Sequence, residues 1–288
     1  MDWIKAKNIL IIALIATNIF LVYNSRNMIF GEGHNQAKSE YFYESAISFL
    51  KERGLVIEAD VPKNNILMPM IMVEYELFDH EEIAKLFLGP EYEVINNTVF
   101  VYKDKMLKAE GNKKLLFFDN SNESVVHKLS DDKVQELSEK FLNEHLLTRE
   151  GLVLEEINLN VLEEENLYYE VVFRQKHNEF FLENSYVHVY IDERGVFEAR
   201  VKLLNVKGVT TQKKEPISAI EAIVKALGRI KDENEEKVTV VKVELGYYFD
   251  VVDSKVSDWD TIKAGTAMPT WQITLENGKK YYVTATKN

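Results

Sequence analysis

The hydrophobic pattern of the chain changes sharply after residue 23. An apolar run extends over Ile9–Tyr23, and two lysines, Lys5 and Lys7, precede it. Counted from Trp3, a helix that rises about 1.5 Å per residue covers about 30 Å by Tyr23, which matches the hydrocarbon core of a bilayer. The pattern therefore predicts a transmembrane helix with its core at 9–23, and about 3–23 in all.

The residues that flank this helix predict its orientation. Lys5 and Lys7 stand before it and Arg26 alone follows it closely, and positive charge favours the cytoplasmic side. We expect a short cytoplasmic end at 1–8 and an extracytoplasmic C-terminal domain, held in the cell membrane as a single-pass protein. A cleaved signal peptide is the alternative, but the large residues Leu14 and Tyr23 stand two positions before the candidate cleavage residues Ala16 and Ser25, where small residues are required.

One face of the predicted helix carries residues suited to helix association. Ala13 and Thr17 belong to a stripe of small side chains, and Asn18 places an amide inside the apolar run. An amide in hydrocarbon gains about 0.6–2 kcal/mol from a hydrogen bond to a neighbouring helix. The alternative is that Asn18 reaches the head groups, while Trp3 and Tyr23 lie at the two interfaces.

After the anchor, a polar tether at 24–38 leads into alternating helix and strand patterns. Ser39 is the predicted N-cap of the first helix, and Asp79 with Glu82 forms a capping box for a second, short helix. Short apolar strands separated by Asn and Gly turns follow the second helix. These patterns predict a first α+β unit at 39–124.

A second α+β unit is predicted at 129–288. Its helices begin at Ser130 and at Pro216, and strands with period-2 alternation and a glycine turn follow each of them. Helix and hairpin thus occur twice, at 130–206 and 216–286, through internal duplication or through ordinary α+β repetition. The predicted fold class is α+β, with one N-terminal transmembrane helix and an extracytoplasmic ectodomain of antiparallel sheets packed with helices.

The composition of the chain excludes some classes of partner and some kinds of site for this ectodomain. The formal net charge of the chain is −12, which repels nucleic acid and anionic lipid head groups. We therefore expect no nucleic-acid partner. The chain has no cysteine, which excludes disulfides, thiol catalysis and thiolate metal sites.

The sequence contains none of the common enzyme motifs: HExxH, Gly-x-Ser-x-Gly, a phosphate-binding loop, a dinucleotide fingerprint or a calcium loop. The six histidines form no i, i+4 pair on a helix, and His188, which stands between two valines on a strand, is the one to check as a ligand. We interpret the acidic groups Glu155–Glu156 and Glu163–Glu165 as solvated surface rather than a catalytic carboxylate pair. We expect no enzyme activity, no metal and no cofactor.

Aromatic residues are dense near the C-terminus. Contact surfaces favour aromatic side chains, but strands that pack against a helix favour them too. Alternation along a strand points one residue of each tyrosine pair inward and the other outward. A similar pair, Tyr168 and Tyr169, stands in the first of the two repeated segments. The candidate interface residues are Tyr247, Tyr248, Trp271, Tyr281 and Tyr282.

Both ends of the chain resemble one known family. Met1–Trp3 stands just before the two lysines and a single anchor that contains Asn18. Near the other end, Gly246–Tyr248, Pro269–Trp271 and Gly278–Val283 look like the closing hairpin of YycI and YycH ectodomains. With the size of the ectodomain and its lack of cysteine, the whole chain resembles the YycI (WalI) family of Gram-positive regulatory proteins.

The resemblance implies a membrane-anchored, non-enzymatic accessory protein of the WalK/WalR (YycG/YycF) two-component system, which controls cell-wall metabolism. Members of the family act with YycH and modulate the sensor histidine kinase WalK (YycG), and their transmembrane helices carry much of the contact. The expected partners are therefore that kinase, YycH and the membrane. The alternative function is a PepSY-like envelope module that binds a protease or a propeptide.

Overall fold

A computed structural model describes residues 32–63, 66–121, 128–161, 167–234, 237–249 and 262–286. Within these ranges, none of the helices combines the length and the apolar character that crossing a bilayer requires. The residues of the predicted anchor lie outside them, namely Trp3, Lys5, Lys7, Ala13, Thr17, Asn18 and Tyr23.

The described part of the chain forms a sheet-dominated α+β fold with four helices and fourteen strands. The helices are α1 (Glu32–Glu52), α2 (His80–Leu88), α3 (Asp131–Glu144) and α4 (Ala219–Glu233). The strands are β1 (Leu55–Ile57), β2 (Met68–Tyr75), β3 (Glu93–Asn96), β4 (Val99–Tyr102), β5 (Lys105–Glu110), β6 (Lys114–Asp119), β7 (Leu152–Val161), β8 (Leu167–His177), β9 (Phe180–Asp192), β10 (Gly195–Lys202), β11 (Leu204–Lys214), β12 (Val238–Tyr248), β13 (Ala264–Leu275) and β14 (Lys280–Thr284).

The first helix begins earlier than its sequence pattern predicts. Because α1 starts at Glu32, residues 32–38 of the predicted tether are helical, and Ser39 lies inside the helix rather than at its N-cap. Extending an existing helix costs much less than starting one, and the buried side chains of Ala46 and Leu50 fix the later turns of α1. The helix that these buried side chains establish therefore extends backwards through the polar residues before Ser39.

The last helix begins later than predicted. Ser218 is the N-cap of α4, and its side chain accepts a hydrogen bond from the amide of Glu221 at 3.3 Å. Pro216 instead forms an isolated β-bridge with Thr286. The first amides of a helix lack partners within the helix, and a serine side chain can accept a hydrogen bond from one of them, whereas a proline side chain cannot. The start of α4 therefore lies after Ser218.

Strand pairing joins the two halves of the chain in one sheet. The main path runs β11-β2-β13-β12-β9-β10-β6-β5-β4-β3, and β1, β7, β8 and β14 attach beside it. Most pairs are antiparallel, but β1 and β9 each pair with β12 in parallel. The boundary predicted between 124 and 129 therefore does not separate two sheets, because β6 pairs with β10 and β2 pairs with β13 across it. Such non-local pairings leave no trace in a local hydrophobic pattern.

The helices cover separate parts of the sheet. Phe87 of α2 and Phe141 of α3 belong to one buried cluster with side chains of β4–β10. Leu50 of α1 and Ile223 of α4 belong to a second cluster, which also contains Trp271 of β13. A third, smaller cluster joins side chains along β2 with residues of β9, β11, β12 and β13.

The two segments predicted to repeat share a local arrangement. The strands β7, β8 and β9 follow α3, and β12, β13 and β14 follow α4. In each segment the middle strand pairs antiparallel with both of the others. Ser130 caps α3 as Ser218 caps α4, so both helices begin in the same way.

A corresponding hydrogen bond in each segment joins the start of the helix to the middle strand. The Tyr169 hydroxyl of β8 donates to the Leu129 carbonyl at 2.7 Å, and Trp271 Nε1 of β13 donates to the Ile217 carbonyl at 2.8 Å. Each carbonyl belongs to the residue just before the helix cap. The two segments thus share their strand order, their serine helix cap and this hydrogen bond. The tyrosine pairs noted in the sequence do not correspond, because Tyr247 lies on the first strand of its segment, β12.

The half-buried side chain of His145 gives an expected dependence of stability on pH. The ring of His145 lies 4.2 Å from the rings of Phe87 and Phe141, and its Nδ1–H donates to the Phe141 carbonyl at 2.9 Å. Burial lowers the pKa of His145 below its usual value of 6.5, because the charged ring loses solvation there. The unfolded chain therefore binds a proton more readily than the folded chain, and stability falls as the pH drops below about 6.5.

We expect His145→Gln to reduce this loss of stability on acidification, as measured by urea unfolding at a series of pH values. His177→Gln is the matched control, because His177 is also half-buried but packs against the Tyr247 ring rather than against a carboxylate. If the two variants and the wild type lose stability in parallel, His145 is not the group responsible.

Candidate functional site

Alternation places the candidate aromatic residues in two different environments. Trp271, Tyr247 and Tyr281 are buried, with 1%, 2% and 5% of each exposed. Tyr248 and Tyr282 are half-buried, and their rings stack with centroids 4.7 Å apart and 3° between the planes. Three of the five residues thus belong to the core, and only Tyr248 and Tyr282 are available to a partner.

A cleft of about 880 Å³ lies beside these two tyrosines. α4 forms one wall of the cleft, and β14 with the ends of β12 and β13 forms the other. The polar residues that line it include Lys225, Arg229, Glu233, Lys280, Tyr282 and Thr284. The cleft therefore combines an aromatic wall with charged side chains along the border of the sheet.

β14 lies at an edge of the sheet, since among the described strands it pairs only with β13. The amide of Ala285 donates to the Pro269 carbonyl, and the amide of Leu275 donates to the Lys279 carbonyl. Because antiparallel strands alternate in hydrogen bonding, the backbone groups of the residues in between point away from β13. The outward-pointing residues are Lys280, Tyr282 and Thr284.

The charged side chains beside this edge are mainly positive. Arg229 Nη2 donates to the outward carbonyl of Tyr282 at 2.7 Å. Lys225 pairs with Glu221 at 3.1 Å, and Lys279 pairs with Glu233 at 2.7 Å. With Lys280, the cleft and its border carry four cations and two carboxylates, a balance of +2 on a chain with a net charge of −12. The cleft thus differs in charge from the chain as a whole.

A buried ionic network lies close to the cleft, and the sequence did not indicate it. Arg174 of β8 is 5% exposed and contacts three carboxylates, from three different strands. Its Nη1 lies 3.1 Å from both Glu155 Oε1 and Glu244 Oε2, and its Nη2 lies 3.0 Å from Glu183 Oε2. The guanidinium also hydrogen-bonds the side chain of Gln272. Arg174 therefore connects β7, β8, β9, β12 and β13.

In this network, the pKa of a carboxyl group depends more on neighbouring opposite charges than on burial. Burial alone raises the pKa of Glu155, but the hydrogen bond from Lys242 and the charge of Arg174 reverse this effect and hold it below its usual value. Burial raises the pKa of Tyr282, and the Glu183 carboxylate that accepts its hydrogen bond raises it further. Tyr282 thus keeps its proton and connects the network to the wall of the cleft.

The acidic group at Glu155–Glu156 is only partly solvated surface. Glu156 is exposed, but the prediction is wrong for Glu155, whose side chain is 13% exposed and pairs with Arg174 and Lys242. Glu155 occupies a shift in register between β7 and β8, where alternation fails. The group Glu163–Glu165 lies outside the described residues.

His188 contributes to a hydrogen-bonded cluster on β8 and β9. Its Nδ1 lies 3.1 Å from Glu170 Oε1, and the Tyr190 hydroxyl donates to the same oxygen at 2.9 Å. The hydrogen bond with His188, followed by that from Tyr190, holds the pKa of Glu170 below its usual value. Throughout the ranges that the structure covers, no three His, Asp or Glu side chains converge in a group suited to a metal.

Comparison with known proteins places these features in a family. The family model described as YycI protein matches residues 36–286. No curated protein matches the chain. A crystal structure of an uncharacterized protein from Eubacterium rectale has a TM-score of 0.54 and 12% identity, over 85% of this chain and 94% of that one. At this identity the likeness concerns the fold alone.

Two other solved structures are similar at lower scores. YycH from Bacillus subtilis has a TM-score of 0.49 and 12% identity, over 78% of this chain and 53% of that one. The C-terminal domain of YpeB from Bacillus megaterium has a TM-score of 0.36 and 12% identity, over 74% of this chain and 95% of that one. The family match covers nearly all of the described residues and includes the C-terminal segments that resemble YycI, whereas the residues before 36 lie outside it. The chain therefore belongs to the YycI family.

Proposed function

We propose that this chain is a membrane-anchored, non-enzymatic regulator of the WalK/WalR (YycG/YycF) two-component system. It modulates the sensor histidine kinase WalK together with YycH, and thereby affects cell-wall metabolism. The observation that carries this proposal is the match to the YycI family over residues 36–286. Membership in that family supports a regulatory role in the YycG (WalK) system in general.

The ectodomain offers contacts rather than an evident catalytic centre. Its buried ionic groups are paired with one another, and the cleft beside β14 is lined by an open strand edge, two stacked tyrosines and cations. Such a surface suits protein contact, since tyrosine and arginine are enriched at interfaces. We assign the ectodomain interface to Tyr248 and Tyr282, while Tyr247, Trp271 and Tyr281 support it from the core.

The membrane helix supplies the second contact in this proposal. We place residues 1–8 in the cytoplasm, the helix core 9–23 in the bilayer and the sheet domain outside the cell. The face that carries Ala13, Thr17 and Asn18 then lies against a transmembrane helix of the kinase or of YycH. The small side chains allow close approach, and the Asn18 amide adds a hydrogen bond.

Substitution within the anchor tests this contact. Replacing the anchor with an unrelated apolar helix is expected to abolish the effect on phosphorylated WalR in cells. Asn18→Leu is expected to weaken helix association about 3- to 30-fold, which corresponds to the loss of a hydrogen bond of about 0.6–2 kcal/mol. Ile12→Leu, which keeps the helix apolar, is the control. Unchanged kinase output with both the replaced anchor and Asn18→Leu would refute signalling through this helix.

A further inference from the structure

The edge strand β14 differs from the other borders of the sheet. Pairing of β3, β7 and β11 with their neighbours contains shifts in register, which disturb an edge and discourage further pairing. β1 has only three residues. In contrast, all five residues of β14 pair with β13 in one unbroken register, and the strand contains no proline. Among the edges in the described residues, β14 is thus the one suited to accept another strand.

We propose that the outer edge of β14 docks an extended segment of a partner protein as an additional β-strand, with acidic side chains of that segment beside α4. The amides of Lys280, Tyr282 and Thr284 point outward, as do their carbonyl groups. Strand addition to an open edge uses such groups for affinity and the neighbouring side chains for specificity. This inference rests on the proposed function only for the identity of the partner.

The cleft has room for the added strand. Neighbouring strands lie about 4.8 Å apart, and the cleft of about 880 Å³ follows β14 on its outer side. Arg229 now donates to the outward carbonyl of Tyr282, so this carbonyl has a polar partner before docking. An incoming strand replaces that hydrogen bond with a backbone amide and frees the guanidinium to bind a carboxylate.

Charge complementarity selects the class of segment. The four cations and two carboxylates at the cleft leave an excess of positive charge. A basic segment would place its charges against Lys225 and Arg229 of α4, whereas aspartate or glutamate on alternate positions would face these two cations favourably. The docked strand is therefore acidic, and its side chains on the other face contact Tyr248 and Tyr282.

A proline at an outward position tests the docking mode. Thr284→Pro removes one outward amide and leaves the hydrogen bonds to β13 in place, as edge strands tolerate. Thr284→Val, which keeps the amide, is the matched control. With both proteins full-length in lipid nanodiscs, and with the YycH-family protein of the same organism as probe, Thr284→Pro is expected to weaken binding at least about tenfold relative to Thr284→Val.

A second measurement needs no substitution, and so does not depend on the folding of the proline variant. Hydrogen exchange of the Lys280, Tyr282 and Thr284 amides is expected to slow at least about tenfold when the probe binds, because each newly hydrogen-bonded amide must open before it exchanges. Wild-type binding without slower exchange at these amides, and with equal affinity for the two Thr284 variants, overturns docking at β14 but leaves the proposed function standing. Absence of any wild-type binding instead refutes the proposed partner.

The role of charge is tested separately. Lys225→Glu is expected to weaken probe binding several-fold, because it reverses one cation at the cleft. Lys140→Glu on α3 is the control, since Lys140 also stands in an i, i+4 pair, with Glu144, but lies outside the cleft. Equal loss of affinity in the two variants would contradict a local role of the cleft in recognising acidic side chains.

Discussion

Replacing Arg174 with methionine is expected to lower the free energy of unfolding by about 3 kcal/mol, because it leaves three largely buried carboxylates without the cation that they share. Glu155, Glu183 and Glu244 all lie within 3.1 Å of the guanidinium. Lys242 pairs with two of these carboxylates, at 2.8 and 3.1 Å, and cannot neutralise all three. Urea unfolding of the ectodomain, followed in the full-length protein, measures this change in the free energy of unfolding.

Arg200→Met is the matched control for Arg174. Arg200 lies on β10 and pairs with Glu198 at 2.6 Å, but its side chain is 47% exposed. An exposed pair of this kind contributes about 0–1 kcal/mol. If the two arginine variants lose equal stability, the network around Arg174 does not stabilise the junction of β7, β8, β9, β12 and β13.

Gly246→Ala is expected to destabilise the fold by about 1–3 kcal/mol, through overpacking at the junction of β9 and β12. A Cβ atom at Gly246 would overlap three ring carbons of Phe181. The ring cannot move aside easily, because Phe181 is 2% exposed and the Arg174 guanidinium lies 4.0 Å from its centroid. β9 and β12 share only two residue pairs, so a displacement here disturbs the whole junction.

Gly228→Ala, in contrast, is expected to stabilise the fold. Gly228 lies inside α4, and a Cβ there meets no atom within 4 Å. Alanine in a helix interior is favoured over glycine by about 0.5–1 kcal/mol. Thermal unfolding of the two variants therefore gives a lower midpoint for Gly246→Ala and a higher one for Gly228→Ala. A stabilising effect at Gly246 would contradict the close contact with Phe181.

Local features of the fold were predictable from the sequence. The N-caps Asp79 and Ser130 are confirmed, since each side chain accepts hydrogen bonds from amides of its helix. Alternation also predicted that one residue of each C-terminal tyrosine pair points inward, and the structure shows that these residues are Tyr247 and Tyr281. These features depend on side-chain periodicity and capping within a few residues, and no distant part of the chain is needed to establish them.

The junction of the sheet and its ionic network could not be predicted in this way. Arg174 follows a run of apolar strand residues, and nothing in that run indicates that Glu155, Glu183 and Glu244 converge on it. The edge position of β14 likewise depends on which strands pair far along the chain. The topology of the sheet determines that Arg174 is buried and that β14 lies at an edge. The hydrophobic pattern of a strand indicates only which of its side chains share a face.

The regulatory claim is tested most directly by measuring phosphoryl transfer from WalK to WalR in lipid vesicles that contain YycH, with and without this chain. We expect that adding the full-length chain changes the rate at least about fivefold, the lower limit of common coupling between sites. A rate that stays the same over all ratios of this chain to the kinase would refute regulation of WalK by this chain.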